Sequence, residues 1–255
     1  MPRVERDGAT LYYEATSDAP DEAIAFVAEA GLGAWSWGWQ HRAVAGPHEA
    51  IVFDLRGTGR STADTDQNWD AETLAADLDA VLADAGVRRA HLVGLGVGGM
   101  VALQHALTRG RTASLSLLGT AAHADAINGD ALGDLLAGDL SAGLSAQFVA
   151  DRPGVVEQIR EWRAAEDATE DAWRAQIEAV ESFDVRDRLH EVTVPALVAH
   201  GAADRIVPAS AGESLADGLP RGVSVSFEGA GHLVTVERSR PLNDELRAHL
   251  DAATE

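Results

Sequence analysis

Short apolar runs of β type recur through this chain at residues 10–15, 24–28, 51–54, 91–95, 115–118, 196–200 and 223–227, with helical periodicity between them, notably at 71–85 and 100–107. Strands alternating with helices predict an α/β fold: a mostly parallel central sheet flanked by helices. From 123 to 189 the strand signal stops. Residues 155–165 and 172–180 have helical character there, and Asp151-Arg152-Pro153 reads as a turn into the first of them. The expected organisation is one core, 1–122 with 190–255, and a helical cap inserted at 123–189 over the sheet's C-terminal edge. A chain of 255 residues, 46% of them hydrophobic, can build a single core of that size.

Within this pattern, His91-Leu92-Val93-Gly94-Leu95-Gly96-Val97-Gly98-Gly99 passes from an apolar strand into a helix-forming segment. A G-x-S-x-G strand-to-helix turn raises a serine hydroxyl above a sheet and aims the next backbone N–H at an oxyanion. Here Gly94, Gly96 and Gly98 occupy the glycine, nucleophile and glycine places. The same letters also read G-x-G-x-x-G through Gly94, Gly96 and Gly99, a dinucleotide fingerprint that wants an acidic residue about 20 positions on. The next apolar run ends in Gly119-Thr120-Ala121-Ala122 and no carboxylate follows before Asp125, so no cofactor is expected.

Other segments weigh for the first reading. Asp54-Leu55-Arg56-Gly57-Thr58-Gly59-Arg60-Ser61, the strand and turn from Pro195 through Asp204 to Pro208, and Gly229-Ala230-Gly231-His232 follow in the order nucleophile, acid, base once the turn at Gly96 is included. Over nearly its whole length the chain resembles the α/β-hydrolase family, in its esterase and lactonase branch and loosely in its enol-lactone hydrolases. The resemblance implies that His232 is the general base, that Asp204 orients it, and that Gly96 stands at the nucleophile position without a side chain. It implies an oxyanion hole from the N–H groups of Val97 and Leu32. The loop supplying the latter reads Glu29-Ala30-Gly31-Leu32-Gly33, with Ala30 where relatives carry histidine. Gly31, Trp35 and His123 are expected to border the substrate; Asp54 is expected to buttress its loop, and Arg56 to bond backbone carbonyls.

Glycine is easily tolerated at such a turn, because the nucleophile usually sits at positive φ, which costs other residues about 1 to 3 kcal/mol. No second turn supplies a nucleophile: Ser141 and Ser145 lack a strong strand ahead of them, and the chain has no cysteine. His200 is read as packing, and the remaining histidines show no metal-ligand spacing, so no metal is expected. Trp35, Trp37, Trp39, Trp162 and Trp173 fit core packing better than pocket lining, Trp35 being the best pocket candidate.

The net charge is −21, and every basic residue other than histidine is arginine. Such a surface argues against nucleic acid and anionic membranes as partners and leaves a small molecule. It suits solubility in high salt, or reflects a genome-wide compositional bias; only the former makes folding depend on salt. With no apolar leader and no membrane-length apolar run, a cytoplasmic location is the expectation. Three functional readings follow: hydrolysis of a small, largely apolar ester or lactone by His232-activated water above Gly96, a non-catalytic binding protein, or a serine hydrolase inactivated by a Ser-to-Gly change.

Overall fold

The computed structural model describes residues 2–16, 22–45 and 48–254. Its strands are β1 (Arg3–Arg6), β2 (Ala9–Ala15), β3 (Glu22–Val27), β4 (Glu49–Phe53), β5 (Arg89–Leu95), β6 (Thr112–Leu118), β7 (Ala196–Gly201) and β8 (Gly222–Phe227). They form one sheet in the order β1-β2-β4-β3-β5-β6-β7-β8. The β1/β2 and β2/β4 pairs are antiparallel and every other pair is parallel. Helices α1 (His41–Ala45), α2 (Ala71–Asp84) and α3 (Val97–Thr108) precede β6. Between β6 and β7 lie α4 (Gly129–Leu136), α5 (Leu140–Gly143), α6 (Ala146–Asp151), α7 (Pro153–Glu166) and α8 (Glu170–Glu178). Then come α9 (Ala209–Gly218), α10 (Val234–Glu237) and α11 (Ser239–Thr254). No helix among the described residues is long and apolar enough to cross a membrane.

The expected α/β architecture with inserted cap helices is therefore present. Strands β3 and β5 are buried almost end to end because helices cover both sheet faces, which is why they read as continuous apolar runs. β1 escaped the sequence reading. Its Arg3-Val4-Glu5-Arg6 has no apolar face, and as an edge strand it needs only backbone pairing to β2. At the other edge, the apolar-looking β8 leaves Val223 61% exposed.

Two details fix the turn between β5 and α3. A Cβ at Gly98 would lie 2.2 Å from the Val27 carbonyl oxygen, and one at Gly94 would lie 2.5 Å from that of Gly98, so the flanking glycines let α3 start hard against β3 and β5. The loop after β4 is held separately. Asp54 Oδ2 accepts from Arg60 N–H, as its buttressing role requires, whereas Arg56 bonds a carboxylate and not carbonyls: Nε and Nη2 reach Asp77 of α2 at 2.6 and 2.7 Å.

Gly98→Ala should destabilise the fold by about 3 kcal/mol or more, since the obstacle is backbone that cannot rotate away. A urea midpoint lowered at unchanged slope checks it; an unchanged midpoint would mean the approach of α3 to β3 is not as close as described.

Candidate active site

Gly96 forms the sharp turn between β5 and α3, at φ +54° and ψ −117°. Its carbonyl accepts from Thr120 Oγ1 at 2.7 Å. From the neighbouring β3 end, Glu29 enters the space above this turn. A Cβ at Gly96 would stand 1.6 Å from Glu29 Oε2, so a side chain at 96 requires this carboxylate to move. Glu29 Oε1 accepts from Val97 N–H at 3.0 Å and from Ala30 N–H at 2.7 Å. Val97 is the first residue of α3, so the carboxylate also lies at the positive end of a helix dipole.

The other oxygen faces the histidine. His232 Nε2 is 2.9 Å from Glu29 Oε2, and its Nδ1 is 2.8 Å from Asp204 Oδ2. A ring with hydrogen on both nitrogens donates to each of these carboxyl oxygens, and such a ring is an imidazolium. Burial alone would discharge it, yet the charges and hydrogen bonds of Asp204 and Glu29 prevail and push its pKa from 6.5 up to about 10. Burial pushes Asp204 up, but the His232 charge and the N–H groups of Val207 and Ile206 hold its carboxyl below the usual range. Glu29, His232 and Asp204 thus form a carboxylate–imidazolium–carboxylate row whose side chains are at most 1% exposed.

The cap packs against the loop that follows Glu29. Gly31, at φ +75°, has Trp173 Cβ and Leu136 Cδ2 only 2.9 and 3.0 Å from where its own Cβ would be. Its N–H donates to Gln176 Oε1 and its carbonyl accepts from Ala168 N–H. Gln176 Nε2 in turn donates to the Arg56 carbonyl and Thr58 Oγ1, tying α8 to both active-site loops.

Several expectations change. The space above Gly96 holds a carboxylate, not a water, and His232 has no lone pair free to act as a base in this arrangement. The Leu32 N–H does not face the site; it closes a turn onto the Glu29 carbonyl at 3.1 Å, and the second donor beside Val97 is Ala30. Trp35 is an anchor, not a pocket wall, because its indole N–H donates to Asp167 and its amide to Glu166. Gly31 touches cap side chains where substrate was expected. His123 sits at the start of the cap, bridged to Asp184, with its Nδ1 buried and unpaired. Ser145 caps α6 and bonds Glu237, and Ser141 bonds Asp139. His200 is packed against Gly212, with its pKa pushed down by burial to about 4.

The residue that sequence reasoning missed is Glu29. Its only signal is a carboxylate ending an apolar strand one residue before the Ala30-Gly31-Leu32-Gly33 turn, where burial demands a partner.

Residues 27–245 match the alpha/beta hydrolase family. The chain belongs to that family. RutD of Variovorax paradoxus, named as a carbamate hydrolase, is 33% identical over 92% of this chain and 94% of its own. A 3-oxoadipate enol-lactonase from Acinetobacter baylyi is 25% identical over 82% of this alpha/beta hydrolase and 81% of its own length. The crystal structure of an enol-lactonase from Burkholderia xenovorans superposes with a TM-score of 0.85 at 23% identity, covering 98% of this chain and 100% of that one, which establishes the shared fold.

Two outcomes follow. Gly96→Ser alone should destabilise the protein by about 3 kcal/mol, and its combination with Glu29→Ala should cost less than the sum of the two single changes; additive effects in a denaturation cycle would contradict the clash. The His232 ring should titrate near pH 10 by NMR, well above its ordinary 6.5. Because the folded-state value is raised, its stabilising contribution is complete below about pH 6.5 and is lost as pH rises through about 10. A ring titrating near 6.5 would show that the two carboxylates do not hold its charge.

Proposed function

We propose that this chain hydrolyses a small, largely apolar ester- or lactone-like substrate without a serine nucleophile, at a centre built from Glu29, His232 and Asp204 around Gly96. One observation carries the reading: the Glu29 carboxylate lies where a side chain at 96 would be, bonded to both Val97 N–H and His232. Relatives named for a carbamate and an enol-lactone support a small carboxylic-acid derivative as substrate. In this centre Glu29 is the electron-rich group, His232 is the proton donor to a departing oxygen, and Asp204 keeps His232 oriented and charged.

Between α4 and α8 an open depression of about 770 Å³ includes Leu136 and Trp173 in its lining, the two side chains that stand against Gly31. Substrate reaches Glu29 by displacing them. The same depression carries Asp130, Asp134, Glu170 and Glu178 against one arginine, Arg174, which pairs with Glu170; the acidic excess favours a neutral over an anionic substrate.

The burial of the row favours a second reading, a binding protein without turnover, since its side chains are at most 1% exposed. The third reading, a serine hydrolase inactivated at one position, loses ground. A serine at 96 would require Glu29 to leave its bonds to Val97 N–H and His232, whereas glycine lets the carboxylate keep both.

Hydrolysis of p-nitrophenyl esters and lactones, in low and multimolar salt, separates the remaining two. Turnover is expected from the unaltered chain, falling at least about 100-fold in Glu29→Gln and in His232→Gln. Folded protein inert on every substrate in both salts would favour the binding reading.

A further inference from the structure

We infer that a depression of about 420 Å³ at the junction of cap and core binds a small carboxylate carrying an apolar tail. Its cap side is formed around Arg152, which joins α6 to α7, and its core side by Trp39 and the segment from Val236 to Pro241. None of Glu29, Asp204 and His232 lines it, so the site is separate from the row around Gly96. Charge carries the assignment. With 41 acidic residues against 20 arginines, an arginine of this chain has carboxylates in plenty to pair with. Yet Arg152, Arg238 and Arg240 all line this depression, and none of them pairs with a carboxylate among the described residues. Arg238 donates only to the backbone carbonyls of Glu237 and Glu228. The one acidic side chain in the lining is already engaged: Glu237 accepts from Ser145 N–H and Oγ at 2.7 and 2.6 Å and from Gly231 N–H at 2.8 Å.

A planar guanidinium holds a carboxylate through two parallel N–H bonds, and here Arg152 comes from the cap and Arg240 from the core. Ser239, Arg240 and Pro241 also begin the 16-residue α11, so the positive end of that helix dipole lies at the same depression. A head of single charge suits the site better than a phosphate dianion, because Glu237 shares the wall and the whole chain carries −21. The rest of the lining sets what the head is attached to. Trp39, Phe148 and Val155 are only partly buried and, with Val236, give an apolar wall that a tail of several carbons would cover. Bound there, the ligand fastens α6 and α7 to the start of α11. It does so where Glu237 already joins Ser145 of the cap to Gly231, the residue before His232, and so it stabilises the docked cap.

Titration of the unaltered chain with octanoate tests this, followed by calorimetry and by the indole N–H resonance of Trp39, assigned with Trp39→Phe. Acetate, 1-octanol and octyltrimethylammonium serve as the head alone, the tail alone and the opposite charge. Octanoate should saturate one site, shift the Trp39 resonance and bind at least about 10-fold more tightly than any of the three, because it alone offers a tail and an acceptor for charged hydrogen bonds. In the double variant Arg152→Gln with Arg240→Gln, two exposed side chains, the affinity should fall at least about 10-fold while the thermal midpoint without ligand stays where it was. Equal affinity for octanoate and 1-octanol overturns the inference, since the tail alone would then account for binding. Octanoate binding that the double variant leaves unchanged overturns it by placing the carboxylate elsewhere, and absence of saturable binding overturns it outright.

Discussion

The contact on which this site depends is the bond from the His232 ring to the carboxylate of Glu29. A buried carboxylate is expensive unless every oxygen is satisfied, and here the start of α3, the Ala30 amide and an imidazolium do so together. A buried imidazolium is equally expensive, and Asp204 on its far side completes the row. Neither charge can be removed alone without stranding the other, so Glu29, His232 and Asp204 behave as one unit.

That unit explains features that are separately odd. Gly96 lacks a side chain because Glu29 fills the place; the N–H groups beside the turn are occupied because Glu29 Oε1 is their ligand; His232 is charged because it lies between two carboxylates. The cap can pack directly onto Gly31 because little remains exposed beneath it. The fold thereby places Glu29 after β3, Gly96 after β5, Asp204 after β7 and His232 after β8, with the carboxylate above the turn supplied by the neighbouring strand end.

Much of the fold was legible because the central strands are covered on both faces and read as apolar runs, and because Gly94, Gly96 and Gly98 announce a close-packed strand-to-helix turn. β1 was not legible, since a paired edge leaves no apolar pattern. The His232 and Asp204 positions stood out by order and spacing. Glu29 did not, because its meaning lies in partners 68 and 203 residues away, and a single acid at a strand end has no spacing to betray it. Leu32 and Trp35 were misplaced for a related reason: which amide faces the site, and where an indole N–H points, are decided by the turn at Glu29 and by Asp167 on the cap.

The central claim, that Glu29 is the ion partner of His232 above Gly96, is tested most directly by a double-mutant cycle on stability with Glu29→Gln and His232→Gln at neutral pH. A coupling of about 2 kcal/mol or more is predicted, because each single change leaves a buried charge with a lost partner. Coupling near zero would mean that the two side chains do not meet, and that the space above Gly96 is free.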